Sequence, residues 1–275
     1  MNYPHQKWRL LITPPSRGAW NMAVDEVLLE AVGQNQSLPS LRLYAWEPPC
    51  LSIGYAQPCI DIDHKRLSDL GWDWVRRPTG GRAILHTDEL TYSVVAPLTE
   101  PRVSGGVLES YQRLSKALLT ALHSLKIPAQ AHPTNSTANH QENGAVCFQF
   151  PSNYEIVVNT KKLIGSAQAR RKNGVLQHGT LPLWGDLTRI TNVLIYSDEQ
   201  NRSKAALSLL SHATTVDTVL GNKISWETVT RAIITGFETE LDLELLQDDL
   251  SDFETKRAEQ LVKQKYNHPA WLERI

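Results

Sequence analysis

Three arginines and two glycines surround a turn in the segment RRPTGGR, residues 76–82. Pro78 fixes one backbone dihedral, whereas Gly80 and Gly81 admit positive φ and leave bare backbone open to a ligand. Guanidinium groups recognise anions, so the composition favours a site for an anionic or acyl head group. It is also typical of a Pro-Gly hairpin turn with solvated arginines. The segment lacks the G-x-x-x-x-G-K-[ST] pattern of a P-loop.

A second segment, residues 147–183, combines a cysteine, a lysine pair and three small residues. Cys147 follows a polar stretch and could be a small buried apolar residue or an exposed thiol that acts as a nucleophile. Lys162 could end near a cavity or be a solvated lysine at a strand end. Gly165, Ser166 and Ala167 interrupt a strand-like run, which is typical of close approach by backbone or ligand.

Two histidines, His86 and His178, each end an apolar strand-like run, where a histidine is either a satisfied core or rim residue or a ligand-binding one. The remaining candidates for metal binding lack the spacing of zinc ligands. These are His132, His140, Cys50 and Cys59. The sequence therefore predicts no metal site.

Composition excludes several classes of protein. The 275 residues carry 28 basic and 29 acidic side chains, a net charge of -1, which lacks the basic excess of a duplex-binding protein. No apolar span approaches the roughly 20 residues of a membrane helix, and the short run at residues 10–12 is too short for a signal peptide. Three cysteines in a long chain indicate reduced thiols. We expect a soluble cytoplasmic monomer that binds neither nucleic acid nor membrane.

Hydrophobic periodicity indicates the elements that must position these residues. Strands are predicted at residues 7–13, 41–45, 51–54, 72–76, 82–86, 91–96, 154–158, 162–170 and 175–182. Helices are predicted at residues 19–31, 61–70, 106–125, 186–193, 202–210, 226–243 and 249–264.

Several details of these elements can be tested. Asp25 is assigned to the solvent-exposed face of the first helix, and residues 127–144, which show no hydrophobic period, are assigned to a loop. The last three strands of the series should pair in hairpin order. The pattern predicts an α/β (α+β) fold with a mixed, largely antiparallel sheet flanked by helices. Residues 1–275 would form a single catalytic domain with a mostly helical segment from about 185.

Five segments together resemble the biotin/lipoate A/B protein ligase family. They are NMAVDEVLL (21–29), RRPTGGRAILH (76–86), ELTYSV (89–94), KKLIGSAQ (161–168) and LQHGTL (176–181). They occur in the family's order and cover most of residues 1–185. Cys147-Phe148 before Pro151–Ile156 is similar to the cysteine-dependent octanoyltransferase branch, which is related to the lipoate-protein ligases.

The resemblance implies the family's mixed-sheet catalytic fold and an enzyme of protein lipoylation, an acyltransferase. It would move octanoyl from acyl-carrier protein to a lysine of a lipoyl domain or glycine-cleavage H protein, without a cofactor. Cys147 would be the acyl-accepting nucleophile and Lys162 would contact the acyl carbonyl. The implied substrate-binding residues are Arg76, Thr79, Gly80, Gly81, His86, Gly165, Ser166, Ala167 and His178.

Three alternatives stay open. An ATP-dependent lipoate-protein ligase would use the same pocket for a lipoyl-adenylate, with ATP and Mg required and Cys147 incidental. A lipoyl amidotransferase would move the acyl group between two lipoyl-type proteins. The third alternative is a protein that binds an acyl group or its carrier without catalysing transfer. It is motivated by Thr87 and Thr160, which replace an Asp and a Gly that are frequent in the family.

Overall fold

The computed structural model describes residues 3–132, 146, 155–171 and 174–275. Its strands are β1 (Gln6–Ile12), β2 (Ser40–Tyr44), β3 (Cys50–Ile53), β4 (Asp73–Arg76), β5 (Ile84–His86), β6 (Glu89–Pro97), β7 (Gln130–His132), β8 (Glu155–Val158), β9 (Lys161–Arg171), β10 (Gly174–Pro182) and β11 (Leu243–Asp248). Its α-helices are α1 (Gly18–Gly33), α2 (His64–Asp69), α3 (Val107–Ser124), α4 (Glu199–His212), α5 (Val216–Leu220), α6 (Trp226–Leu241), α7 (Asp252–Leu261) and α8 (Pro269–Leu272). Within these ranges, none of the helices combines the length and hydropathy of a membrane span.

A mixed sheet forms the centre of the molecule. In the described residues its order is β11-β1-β2-β6-β10-β9-β8-β7. Strand β1 runs parallel to both of its neighbours, and all the other pairs are antiparallel. The predicted hairpin order of the last three strands of the series is confirmed, as is the mixed, largely antiparallel sheet.

Helices cover both faces of the sheet. The central strands β6 and β10 are buried along almost their whole length, because side chains of a strand alternate between two covered faces. Leu90, Tyr92 and Val94 of β6 enter the large core with α3 and α6. Thr91 and Ser93 point to the opposite face, where α1 packs. The polar alternate positions of β6 therefore face α1.

A second sheet lies beside α1. Its order is β4-β3-β5, with β3 parallel to β4 and antiparallel to β5. Residues 77–83 connect β4 to β5, so this small sheet carries the glycine turn. Its outer side packs against α2, α4 and the 3₁₀ helix Leu187–Val193. The turn is thus held above the face of the main sheet that α1 covers.

Two strands were not predicted. Strand β7 lies inside residues 127–144, which were assigned to a loop, and residues 133–144 of that assignment lie outside the described residues. Strand β11 follows α6, which ends at Leu241 because Asp242 adopts a left-handed φ of 51°. Leu and Glu favour helix, but pairing with the edge of β1 outweighs that preference.

Candidate active site

A cavity of about 260 Å³ lies between the main sheet, α1 and the glycine turn. Buried side chains of Met22, Tyr44 and Trp46 line one part of it. Exposed or half-buried residues line another part, among them Gly80, Gly81 and Ala167. The volume falls just below the roughly 300 Å³ at which pockets for drug-sized ligands begin. The cavity therefore suits a small, mostly apolar group.

One lateral row of the main sheet runs under the cavity. Tyr44 of β2 pairs with Thr91, Thr91 pairs with Thr180, and Thr180 pairs with Gly165. All four residues line the cavity. At roughly 4.8 Å between neighbouring strands, the row spans about 14 Å. The floor of the cavity thus extends across four strands, from β9 to β2.

The glycine turn approaches the cavity through close backbone contact. Gly81 has φ +92°, and a Cβ added to Gly54 would lie 1.8 Å from the carbonyl oxygen of Gly81. Arg77 holds the turn from inside, because its guanidinium donates to the carbonyl oxygens of Gly80 and Arg82. The conformation of the turn is therefore fixed by buried hydrogen bonds and by the absence of side chains.

A network that we call the His178 network joins α1 to the turn through three residues, Asp25, His178 and Thr79. Nδ1 of His178 lies 3.2 Å from Asp25, and Nε2 lies 2.7 Å from the Thr79 hydroxyl. Asp25 also accepts hydrogen bonds from Arg42 at 2.8 Å, Ser93 at 2.9 Å and Tyr44 at 3.1 Å. A carboxylate only accepts, so Nδ1 of His178 donates to Asp25.

Burial and charge set the ionisation of this network. Burial would raise the pKa of Asp25, but the hydrogen bond from His178 and the Arg42 charge outweigh it and lower that pKa. Burial lowers the pKa of His178 more strongly than its contacts with Asp25 raise it, and the charge of Arg77 lowers it further. Asp25 is therefore ionised and His178 neutral near pH 7, so Thr79 donates its hydroxyl proton to Nε2.

The His86 network consists of Glu89, His86 and Ser52 and forms another part of the cavity wall. Nδ1 of His86 lies 2.7 Å from Glu89, and Nε2 lies 2.8 Å from the Ser52 hydroxyl. Glu89 also accepts hydrogen bonds from the hydroxyls of Thr91 and Thr180. This network thus ties β3, β5, β6 and β10 together at the cavity.

The Trp46 side chain packs against the His86 network. Its ring stacks on that of His86 with centroids 4.0 Å apart and an interplanar angle of 12°. Its Nε1 donates a hydrogen bond to the Thr91 hydroxyl at 2.8 Å. Its ring also packs against the Tyr44 ring, with the two centroids 5.7 Å apart. The stack on His86 and the hydrogen bond of the indole N–H together fix the ring in one orientation.

Lys162 lies at the start of β9, three positions before Gly165. Its side chain is buried, and Nζ lies 2.7 Å from a carboxylate oxygen of Glu155 on β8. The solvated strand-end alternative for this lysine is therefore wrong. Lys162 is not among the residues that line the cavity.

Cys147 lies outside the described residues, and so does its predicted role as nucleophile. Its covalent neighbour Val146 is described and is buried. Val146 forms a parallel β-bridge with Ala83, two residues after Gly81. The chain is thereby anchored beside the glycine turn immediately before Cys147.

Comparison with known proteins identifies the family. Residues 17–238 match the model of the lipoyl protein ligase A/B catalytic domain. The chain belongs to this family. Over 97–98% of its length it is 37% identical to "Octanoyltransferase LipM" of Carboxydothermus hydrogenoformans and 40% identical to that of Kyrpidia tusciae, covering 100% and 98% of those proteins.

A solved structure supports the same assignment. It is described as a bi-partite lipoate protein ligase and its E2 lipoyl domain from Thermoplasma acidophilum. The two chains are 26% identical and superpose with a TM-score of 0.81, over 98% of this chain and 97% of that one. The predicted lipoate-ligase catalytic fold is confirmed.

The predicted substrate-binding residues occupy three kinds of position in this lipoyl protein ligase domain. The structure brings most of them together at the cavity, as its lining residues Gly80, Gly81, His86, Gly165, Ser166, Ala167 and His178. Thr79 lies behind His178 and is buried. Arg76 lies away from the cavity: its guanidinium donates to backbone carbonyls, including those of Gly54, Gln57 and Leu272, and so holds the C-terminal segment.

Other residues at the site were missed or misplaced by the sequence analysis. Asp25, assigned to the solvent-exposed face of α1, is fully buried because Arg42 and His178 both contact it. Asp25 and Glu89 both lie within segments that resemble the family, so a signal was present. Tyr44, Trp46 and Ser52 carried no signal, because only the sheet register brings them to the cavity.

Proposed function

We propose that the protein is an octanoyltransferase of protein lipoylation. It takes octanoyl from acyl-carrier protein and transfers it to a lysine of a lipoyl domain or glycine-cleavage H protein. The observation that carries the proposal is similarity over nearly the whole chain to octanoyltransferases at 37–40% identity. The small cavity between the glycine turn and the main sheet supports it, because its size and its apolar and aromatic lining suit a medium acyl chain.

The transfer proceeds in two steps through Cys147. The Cys147 thiolate attacks the thioester carbonyl of the donor, a new C–S bond forms, and the donor thiolate leaves and takes up a proton. The neutral lysine amine of the acceptor then attacks the acyl-cysteine. An amide C–N bond forms, the C–S bond to Cys147 breaks, and the amine loses a proton. Because a thioester is exchanged for a more stable amide, neither ATP nor another cofactor is needed.

Lys162 assists this chemistry through its charge. A cation near a thiol favours the thiolate, and an ammonium near the carbonyl stabilises the oxyanion that develops during attack. The ion pair with Glu155 keeps the Lys162 side chain in one orientation. Lys162→Gln should therefore shift the alkylation of Cys147 by iodoacetamide to higher pH. An unchanged pH profile would remove Lys162 from this role.

The test of the function is overall transfer. Purified protein is incubated with octanoyl acyl-carrier protein and an unmodified lipoyl domain, without ATP, and the mass of the lipoyl domain is measured. We expect octanoylation that is lost in Cys147→Ala and retained in Cys59→Ala, a matched variant of a partly exposed thiol.

An ATP-dependent lipoate-protein ligase is the second candidate, favoured by the 26% identity to the Thermoplasma acidophilum ligase. It predicts modification of the lipoyl domain only with free acid, ATP and Mg. It also predicts that Cys147→Ala stays active. An amidotransferase would instead accept the acyl group from an octanoylated lipoyl-type protein.

A further inference from the structure

Arg76 joins α8 to the small sheet that carries the glycine turn. Its guanidinium is fully buried and donates hydrogen bonds to the carbonyl oxygens of Trp271 and Leu272 at 2.8–3.1 Å. These carbonyls are the last two of α8, and the end of a helix leaves such groups without a donor of its own. In the opposite direction, the indole N–H of Trp271 donates to the carbonyl oxygen of Arg76 at 2.9 Å. Arg76 and Trp271 therefore bind each other through both side chain and backbone.

The same guanidinium holds the backbone on which the glycine turn rests. It donates to the carbonyl oxygen of Gly54 at 2.9 Å. Gly54 is in close backbone contact with Gly81, and the next amide along the chain, that of Tyr55, donates to the carbonyl oxygen of Thr79 at 2.8 Å. A shift of the guanidinium is therefore transmitted to the glycine turn through two adjacent residues.

The Trp271 side chain is held from a second side by α1. Nζ of Lys265 lies 4.1 Å from the centroid of a Trp271 ring, which is the geometry of a cation–π contact. The same ammonium lies 2.6 Å from a carboxylate oxygen of Glu26 on α1. The segment that contains Trp271 is thus fixed both to α1 and to Arg76.

We propose that Trp271 is a positioning residue for the acyl site, because it fixes Arg76 and thereby the glycine turn that lines the cavity. The consequence for the substrate rests on the proposed function. Trp271 follows residues 17–238, so the residue that holds the turn lies outside the part of the chain that matches the family model. If the turn is not held, only a fraction of the molecules has a formed cavity, and the apparent affinity falls by that fraction. A bound acyl chain stabilises the formed cavity, so the rate at saturation is retained.

Two substitutions separate the hydrogen bond of Trp271 from the packing of its ring. Trp271→Phe removes the indole N–H but keeps an aromatic ring, whereas Trp271→Ala removes both. Trp20→Ala is the matched control, because Trp20 is another partly buried tryptophan that packs on the same core cluster. We expect KM for octanoyl acyl-carrier protein to rise by about fivefold or more in Trp271→Ala and by less in Trp271→Phe, with kcat within about twofold of the wild-type value. Trp20→Ala should keep the wild-type KM.

Hydrogen exchange measures the hold on the turn without any substrate. The amide proton of Tyr55 is bound to the Thr79 carbonyl, so it exchanges when these two strands of backbone separate. The net contribution of one hydrogen bond corresponds to a factor of about 2 to 10 in such an opening equilibrium. We expect the peptide that contains Tyr55 to exchange faster by about this factor in Trp271→Phe, faster still in Trp271→Ala, and at the wild-type rate in Trp20→Ala.

The outcomes separate the two proposals. If the wild-type protein transfers no octanoyl group, the proposed function fails, whereas faster exchange at Tyr55 in the Trp271 variants still supports the positioning role. If exchange at Tyr55 is unchanged in both variants, the positioning role is overturned whatever the enzyme transfers. Active transfer with an unchanged KM in both variants would also overturn it. Thermal unfolding checks that each variant is folded, and should Trp271→Ala be unfolded, the measurements on Trp271→Phe decide.

Discussion

The two histidine networks of the site have the same order of groups but different surroundings. Each places a histidine between a buried carboxylate at Nδ1 and a hydroxyl at Nε2. Asp25 of the His178 network is paired with the buried guanidinium of Arg42, and only His178 of that network lines the cavity. In the His86 network, Ser52 and His86 line the cavity.

The difference indicates a division of roles. The His178 network connects α1, the main sheet and the glycine turn around a buried ion pair, so its loss should act on folding. The His86 network fixes Trp46 and the cavity wall where we propose that the acyl chain binds, so its loss should act on substrate binding. The following variants test this division.

Asp25→Asn should have the largest effect on stability. It leaves the Arg42 guanidinium, which is fully buried, without its counter-ion, and such losses reduce the free energy of unfolding by about 3–5 kcal/mol. Chemical denaturation monitored by fluorescence measures the change. Glu30→Gln is the matched control, because its partner Arg257 is half-buried and exposed pairs contribute about 1 kcal/mol or less. Equal losses of unfolding free energy in the two variants would contradict the structural role assigned to the Asp25–Arg42 ion pair.

Glu89→Gln should have a smaller effect on stability, about 1–3 kcal/mol, because it disturbs buried hydrogen bonds to His86, Thr91 and Thr180 but leaves no guanidinium without its counter-ion. It should instead raise KM for octanoyl acyl-carrier protein, since His86 and Trp46 lose their support. Asp88→Asn, next to it in sequence and half-exposed beside Arg189, is the control. A raised KM in Asp25→Asn but not in Glu89→Gln would contradict the division of roles.

Lowering the pH should change the free energy of unfolding less than either substitution does. This change should come from protonation of His178. Burial holds the pKa of His178 below its ordinary value of about 6.5. The unfolded state therefore binds a proton that the folded state does not, and stability declines as pH falls below about 6.5 toward the folded-state pKa. Asp25, whose pKa is also lowered, contributes only in more acidic solution.

The substitution His178→Gln tests this source. Glutamine can bind Asp25 and Thr79 but does not titrate, so denaturation at pH 7.5 and 5.5 should show a smaller difference in unfolding free energy in the variant. An equal difference in unfolding free energy in the wild type and in His178→Gln would show that groups other than His178 cause the pH dependence.

Local sequence patterns were sufficient for much of the fold but for less of the site. The strands and helices that alternate or repeat with clear periodicity, such as β6 and α3, were predicted because each buries one or two faces along its own length. Strand β11 was not, because its conformation depends on β1, which is more than 200 residues away in sequence. Trp46 and Ser52 were missed for the same reason, since pairing between distant strands places them at the cavity.

Charged residues were the least predictable. Helical spacing assigned Asp25 to solvent, although a buried guanidinium on β2 and a histidine on β10 both contact it. Arg76 and Arg77 are adjacent in sequence and are the same type of residue. Arg76 binds carbonyls near the C-terminus, whereas Arg77 holds the glycine turn. The partners that decide between these outcomes lie on other elements of the fold.

The acyl-enzyme is the central claim, and intact mass of the protein after incubation with octanoyl acyl-carrier protein, without ATP, tests it most directly. We expect an adduct with the mass of one octanoyl group that hydroxylamine removes and that is absent in Cys147→Ala. An octanoylated lipoyl domain formed at the wild-type rate by Cys147→Ala, with no adduct on the enzyme, would contradict it.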